Sequence, residues 1–144
     1  MKQLTPHLKI ATNDDILQIL ELLEKLHRAS VYSKYGVFIA SDVQKLVRNL
    51  LSKPQSDGCI ILLYTDKAVG LLACSYMYQL FNQSHKSAVE LAFWIEPEYR
   101  TISNTKKLLG AYKYWASSTG CATMLIGKLQ DKDTTETYSI RRLT

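Results

Sequence analysis

The run Glu90-Leu-Ala-Phe-Trp-Ile-Glu-Pro-Glu-Tyr-Arg100 passes straight into Thr101-Ile-Ser-Asn-Thr-Lys-Lys-Leu-Leu109, and this junction constrains the fold more than any other feature. A nearly continuous apolar strand stops at Pro97, which lacks the N–H that a further ladder bond needs, and helical spacing of apolar residues begins within about five residues. The opening turn of a helix carries amide groups with no partner inside the helix, and the positive end of its dipole faces outward with them. A helix start aimed from a strand end is therefore an anion site, and Arg100 ahead of it points to a phosphate-bearing ligand.

Charge sharpens that reading. Residues 1–99 hold ten Lys/Arg and ten Asp/Glu while residues 100–144 hold eight against three, so the formal net charge of +5 lies from Arg100 onward. Lys106 and Lys107 fall in the first helical turn, where a cation opposes the dipole by roughly 0.3–1 kcal/mol each. A bound anion reverses that cost; the alternative is a solvated, slightly unfavourable helix start.

At 144 residues and 47% hydrophobic composition, residues 1–144 are expected to form one α/β domain with its own core. Cys59, Cys74 and Cys121 are odd in number and lack CxxC spacing, which points to buried, reduced thiols in a cytoplasmic protein. No apolar run approaches the roughly 18 residues of a membrane span, and Met-Lys-Gln-Leu-Thr-Pro-His at the start lacks an apolar signal core, so neither a membrane nor secretion is expected. His7, His27 and His85 have no partner at metal-ligand spacing and no neighbouring nucleophile, and no metal site is predicted.

Along the chain, Leu8 to Ala11 reads as a first strand and residues 13–29 as an amphipathic helix built on Ile16, Ile19, Leu20, Leu23 and Leu26. Residues 30–40, with Tyr32, Tyr35 and Phe38, read as an aromatic loop that walls a pocket or covers the core. Ser41-Asp-Val-Gln44 fits a capping box for a second helix carrying Val43, Leu46, Val47, Leu50 and Leu51. Cys59 to Tyr64 and Ala68 to Tyr78 flank Thr65-Asp-Lys67 as a hairpin, and Ser87 to Ile95 is the next strand. A third helix spans about Ser103 to Thr119 with Gly120 as its cap, and Ala122 to Ile126 enters parallel to the preceding strand through a right-handed crossover. Asp131 to Thr135 is expected to open a last short helix carrying Tyr138. The whole is mixed α/β with five strands.

That order of elements, with the Glu90 to Arg100 segment, resembles the GNAT superfamily of acetyl-CoA-dependent N-acetyltransferases, and is most similar to the small members found in tailed bacteriophages. The resemblance covers nearly the whole chain as an architecture, but its specific part is about twenty residues. It implies a central, mostly antiparallel sheet whose fourth strand splays from a parallel fifth, with the pantetheine arm of coenzyme A in the gap. Phe93, Trp94 and Ile95 are then expected to line that arm, and Arg100, Thr101, Ile102, Ser103, Asn104, Thr105, Lys106 and Lys107 to surround the pyrophosphate. The chain departs from the family's R/Q-x-x-G-x-G/A loop, since Thr101 to Thr105 contains no glycine to let backbone approach a phosphate closely. It also stops at Thr144, where members usually continue past a fourth helix into two further strands, so part of the acceptor wall is expected to be missing unless a second subunit or partner supplies it.

The resemblance further implies Glu90 as general base and Tyr138 as the acid that protonates the departing thiolate. Glu90, flanked by Val89 and Leu91, is a carboxylate whose pKa burial would raise; the plainer readings are a salt-bridged strand residue for Glu90 and a packing residue for Tyr138. Three functions follow. The first is transfer of an acetyl group from acetyl-CoA to a primary amine of a small molecule or protein. The second is a non-catalytic module of the same fold, viral in source, that binds an acidic protein partner. The third is a basic domain contacting nucleic acid through Lys106, Lys107, Lys113, Arg141 and Arg142, although no run of five basic residues supports that partner. Edge strands left by the shortened end make a homodimer an expectation.

Overall fold

Among the described residues, six strands form one sheet in chain order: β1 (His7–Ile10), β2 (Gly58–Tyr64), β3 (Ala68–Tyr78), β4 (Lys86–Ile95), β5 (Thr123–Gly127) and β6 (Tyr138–Arg142). The computed structural model describes residues 4–127 and 138–143, with backbone alone for 138–141. Every pairing is antiparallel except β4 with β5. A parallel pair needs a crossover, and α3 (Ile102–Ser118) supplies it. Gly120, at φ +82, closes that helix in the left-handed region that only glycine enters without cost.

Side-chain alternation sorts the core into two layers. Ile61 and Leu63 of β2 point with Leu72 of β3 to α3, where Leu108, Tyr112, Trp115 and Ala116 cover them. Ile60 and Leu62 point the other way with Leu71, to Ile19 and Leu22 of α1 (Ile16–Ala29) and Val47 of α2 (Ala40–Ser52). A strand covered on both faces is an unbroken apolar run rather than an alternating one. That is why β2 reads Gly-Cys-Ile-Ile-Leu-Leu-Tyr.

Three expectations are corrected. Tyr138 lies on β6 rather than on a closing helix, and pairs with Gly127; the expected helix start at Asp131 to Thr135 lies outside the described residues. Among the described residues the sheet has six strands rather than the five expected, because the outer edge of β5 is paired by the antiparallel β6. The Ser41 capping box does not form: α2 opens at Ala40 with Ile39 at its N-cap, and the amides of Asp42 and Val43 bond Ile39 O at 3.1 Å. The reciprocal contact sits ahead of α1 instead. Asp15 accepts from the Thr12 N–H at 2.9 Å and from Lys9 Nζ at 2.9 Å. Burial pushes the Asp15 carboxyl up, but these donors outweigh it and hold it below the usual range.

Candidate active site

β4 is held along one edge and released along the other. Its ladder with β3 runs from Lys86–Tyr78 to Ile95–Gly70, while its ladder with β5 holds only Ser87–Thr123 and Ala88–Met124. The short end is pinned by polar contacts: Ser87 Oγ lies 2.7 Å from Thr123 Oγ1, His85 Nε2 lies 3.0 Å from the same oxygen, and the Ala122 N–H donates to Lys86 O at 2.8 Å. Beyond Met124 the strands part.

An open strand edge inside a fold is costly unless its polar groups find other partners, and here side chains provide them. Leu143 N–H bonds Ala122 O on the β6 side, so by alternation Leu125 and Gly127 present their groups toward β4. Leu125 O accepts from the Tyr112 hydroxyl at 2.8 Å, and the Gly127 N–H donates to the Glu90 carboxylate. On the opposite rim, Glu96 N–H reaches Val69 O on the β3 side, so Phe93 and Ile95 turn their backbone groups to the gap. Ile95 O accepts from Arg100 Nε at 2.7 Å. Among the described residues, the backbone of Phe93 and the N–H of Ile95 have no strand partner there. Sequence reasoning missed Tyr112 as more than a core residue; it is fully buried, and burial, with Cys74 and Glu90 nearby, pushes its hydroxyl well above the usual tyrosine range. It stays a proton donor to Leu125.

The predicted residues do not all face one place. Phe93 and Ile95 bury their side chains beneath α3, whereas Trp94 packs on the α1 face and donates from Nε1 to Glu96 Oε1 at 2.9 Å. Lys25 of α1 donates to the other Glu96 oxygen at 2.8 Å. Burial raises the Glu96 carboxyl, and the Lys25 and Trp94 bonds outweigh it, leaving it below its ordinary value. Arg100 lies with its Cζ 4.4 Å from the Trp94 ring centre, a cation–π contact. Its terminal nitrogens have no acceptor among the described residues.

At the start of α3, Thr101 Oγ1 caps the Asn104 N–H at 3.1 Å, and buried Asn104 donates from Nδ2 to Tyr99 O at 2.8 Å. Thr105 N–H bonds Thr101 O at 3.0 Å, and Lys107 Nζ donates to Pro6 O at 2.9 Å. The Thr101, Asn104 and Lys107 side chains thus hold the turn together. The amides of Ile102 and Ser103 have no acceptor among the described residues, and Ile102 is 77% exposed. Arg100 and Thr101 sit at φ −78 and −112, so this turn needs no glycine for its backbone. Exposed Lys106 borders a hollow of about 260 Å³ with Lys113 and Arg142. Two amides, one guanidinium and these cations fit a diphosphate, and the gap beyond them fits an extended chain with amide groups.

On the opposite face of β4, a cavity of about 490 Å³ lies between the sheet and helices α1 and α2. Its floor contains Ala73 and Ala92, directly opposite each other across the β3–β4 ladder. One step on, the register shifts: Ala73 pairs with Ala92 and Cys74 with Glu90, so Leu91 is an extra residue. Such a bulge re-aims the side chains around it, and Leu91 stands 58% exposed at the cavity wall. Glu90 and the cavity therefore share one short stretch of β4. The signal in sequence was small residues, Ala73 and Ala92, at facing positions of the two strands.

Comparison with known proteins gives the geometry its context. The model of the acetyltransferase (GNAT) family matches residues 18–139. The fold is similar to a GNAT family acetyltransferase of Staphylococcus aureus (20% identity, 83% of this chain and 84% of that one, TM-score 0.61). It is similar also to the aminoglycoside 6'-N-acetyltransferase of Acinetobacter haemolyticus (17%, 82% and 76%, TM-score 0.66). A further aminoglycoside acetyltransferase, AAC(6')-Iy in complex with a coenzyme A bisubstrate analogue, matches at 15% identity over 83% and 76% of the two chains, with a TM-score of 0.64. No curated protein matches the sequence.

Proposed function

The chain belongs to the GNAT acetyltransferase family, which uses acetyl-CoA, and from that premise we propose that it acetylates a primary amine held in the cavity over β4. The observation that carries this reading is the gap between β4 and β5, whose rims are satisfied by Tyr112, Glu90 and Arg100 instead of by each other. Acetyl-CoA supplies the acetyl group as an activated thioester. The N–H groups of Phe93 and Ile95, which no described strand pairs, orient and polarise its carbonyl, and Arg100, the Ile102 and Ser103 amides and Lys106 hold the diphosphate.

The amine nitrogen bonds to the acetyl carbon as the C–S bond breaks, leaving an amide and, once a proton reaches sulfur, a thiol. Glu90 takes the proton that the amine loses, and Tyr138 returns one to the sulfur. Support for pairing these two comes from Gly127, which donates to Glu90 and stands opposite Tyr138 in the β5–β6 register. We place the reaction in the cytoplasm on the strength of three buried free thiols, and a bacteriophage source on the resemblance of the sequence alone.

A second reading has one observation in its favour: the side chains of Thr101, Asn104 and Lys107 are occupied in holding the turn. In that reading the fold serves as a module for an acidic protein partner or a second copy. Calorimetric titration with acetyl-CoA decides between them. Micromolar binding, weakened at least about tenfold (1.4 kcal/mol) by Arg100→Ala, is the expected result. Absence of binding at millimolar acetyl-CoA is the result that would replace the enzyme with the module.

A further inference from the structure

Resting on the acetyltransferase reading, we infer that the acceptor is a primary monoamine carried on an apolar aliphatic or aromatic body, not a polyamine or an amino sugar. The cavity's size, about 490 Å³, is that of a small-molecule site. Its walls are Leu23, Val43, Val47, Leu71, Val89 and Leu91, and the Ala73–Ala92 pair leaves room for a ring or chain between them and the helices.

Charge is the discriminating feature. Among the described residues, Lys53 is the one Lys, Arg, Asp or Glu of the lining, whose other polar residues are Asn49, Ser75 and Tyr76. Ser75 Oγ donates to Asp57 O at 3.0 Å, and the Tyr76 hydroxyl donates to Asp57 Oδ1 at 3.4 Å. That carboxylate is outside the lining and faces the Tyr76 hydroxyl. Lys86 Nζ lies 4.0 Å from the Tyr76 ring centre, which adds a second cation behind the same wall. An ammonium buried without a carboxylate or other acceptors is strongly disfavoured. A substrate with several ammonium groups would place at least one against apolar walls or toward Lys53. A monoamine brings one, which reaches the reacting end beside Leu91 and Glu90 and loses its charge there.

The reaction is unchanged in its balance. The monoamine's N–C bond to the acetyl group forms, the thioester C–S bond breaks, one amine proton leaves through Glu90, and one proton ends on the coenzyme A sulfur.

The test compares 2-phenylethylamine with spermidine and kanamycin. Initial rates of thiol release should give a kcat/KM for 2-phenylethylamine at least tenfold above either polycation. Without acetyl-CoA, 2-phenylethylamine should shift the methyl resonances of Val47 and Leu71. Leu46→Asp adds a carboxylate at the cavity rim, at a side chain 68% exposed, and should narrow or reverse the preference while acetyl-CoA affinity by calorimetry stays the same. Equal or faster turnover of spermidine or kanamycin by the wild-type protein overturns the monoamine class and leaves the acetyltransferase reading standing. So does acetyl-CoA binding with neither turnover nor methyl shifts from 2-phenylethylamine. Failure to bind acetyl-CoA at all overturns the acetyltransferase reading itself, and this inference with it.

Discussion

The two edges of β4 are built from the same backbone and treated in opposite ways. Toward β3 the strand makes nine paired positions interrupted by one bulge; toward β5 it makes two. Along the first edge the backbone is satisfied by backbone and the flanking side chains serve the core. Along the second, Tyr112, Glu90 and Arg100 are spent on backbone groups that a continued ladder would have satisfied without them. The closed edge carries stability, and in the proposed function the open edge offers its main-chain N–H groups to acetyl-CoA. Substitutions on the two edges should therefore separate folding from activity.

The largest effect belongs to the closed edge. Leu72, fully buried under α3, should cost about 2–5 kcal/mol of stability as Leu72→Ala, read by denaturant unfolding. Glu90→Gln acts on the open edge. Its amide can still accept from Gly127 but cannot take a proton, so kcat should fall about 100-fold, with unfolding free energy within about 0.5 kcal/mol of the wild type. A parallel loss of stability and activity would mean that Glu90 only props the strands apart.

Tyr112→Phe should cost about 1–3 kcal/mol, because Leu125 O loses its donor, and should also weaken acetyl-CoA as the gap relaxes. Stability loss with unchanged acetyl-CoA affinity would separate Tyr112 from the site. The smallest effect is the pH dependence through Glu96. Its carboxyl is lowered from an ordinary value of 4.5, so the stability it contributes is fully present above that value and is lost as pH falls through the folded-state pKa below it. Between pH 6 and pH 3, Lys25→Ala should flatten part of the acid limb of a Tm profile, since it removes a donor from the ionised form. An identical limb in the variant would show that the Lys25 contact contributes nothing.

How much of this was legible beforehand depends on how far each contact reaches along the chain. The strand ending at Pro97, the turn through Arg100 and the helix behind it depend on neighbours, and the sequence pattern identified them. So did the hairpin around Thr65 to Lys67 and the cap at Gly120. The helix expected at Tyr138 rests on the start read at Asp131 to Thr135 and on the resemblance to the family's late helix, whereas Tyr138 and Ile140, two apart, share one face of a strand and not of a helix. What decides is the bare edge of β5, which no local window contains. The Glu90 contact spans 37 residues and the Trp115 indole reaches Gln55 across 60. Asn104 is expected both to cap the helix and to offer its amide to a phosphate, and its bond to Tyr99 O, five residues back, shows how it holds the turn. Residues 128–137 lie outside the described chain, and with them the expected helix start.

The most direct test of the gap is amide NMR with hydrogen exchange during an acetyl-CoA titration. Bound acetyl-CoA should shift the Phe93, Ile95, Ile102 and Ser103 amides and slow exchange at Phe93 and Ile95, while β3-facing amides such as Trp94 and Glu96 change little. Binding that leaves Phe93 and Ile95 unaffected, or no shifts at millimolar acetyl-CoA, would contradict the claim that the open edge of β4 is the acetyl-CoA site.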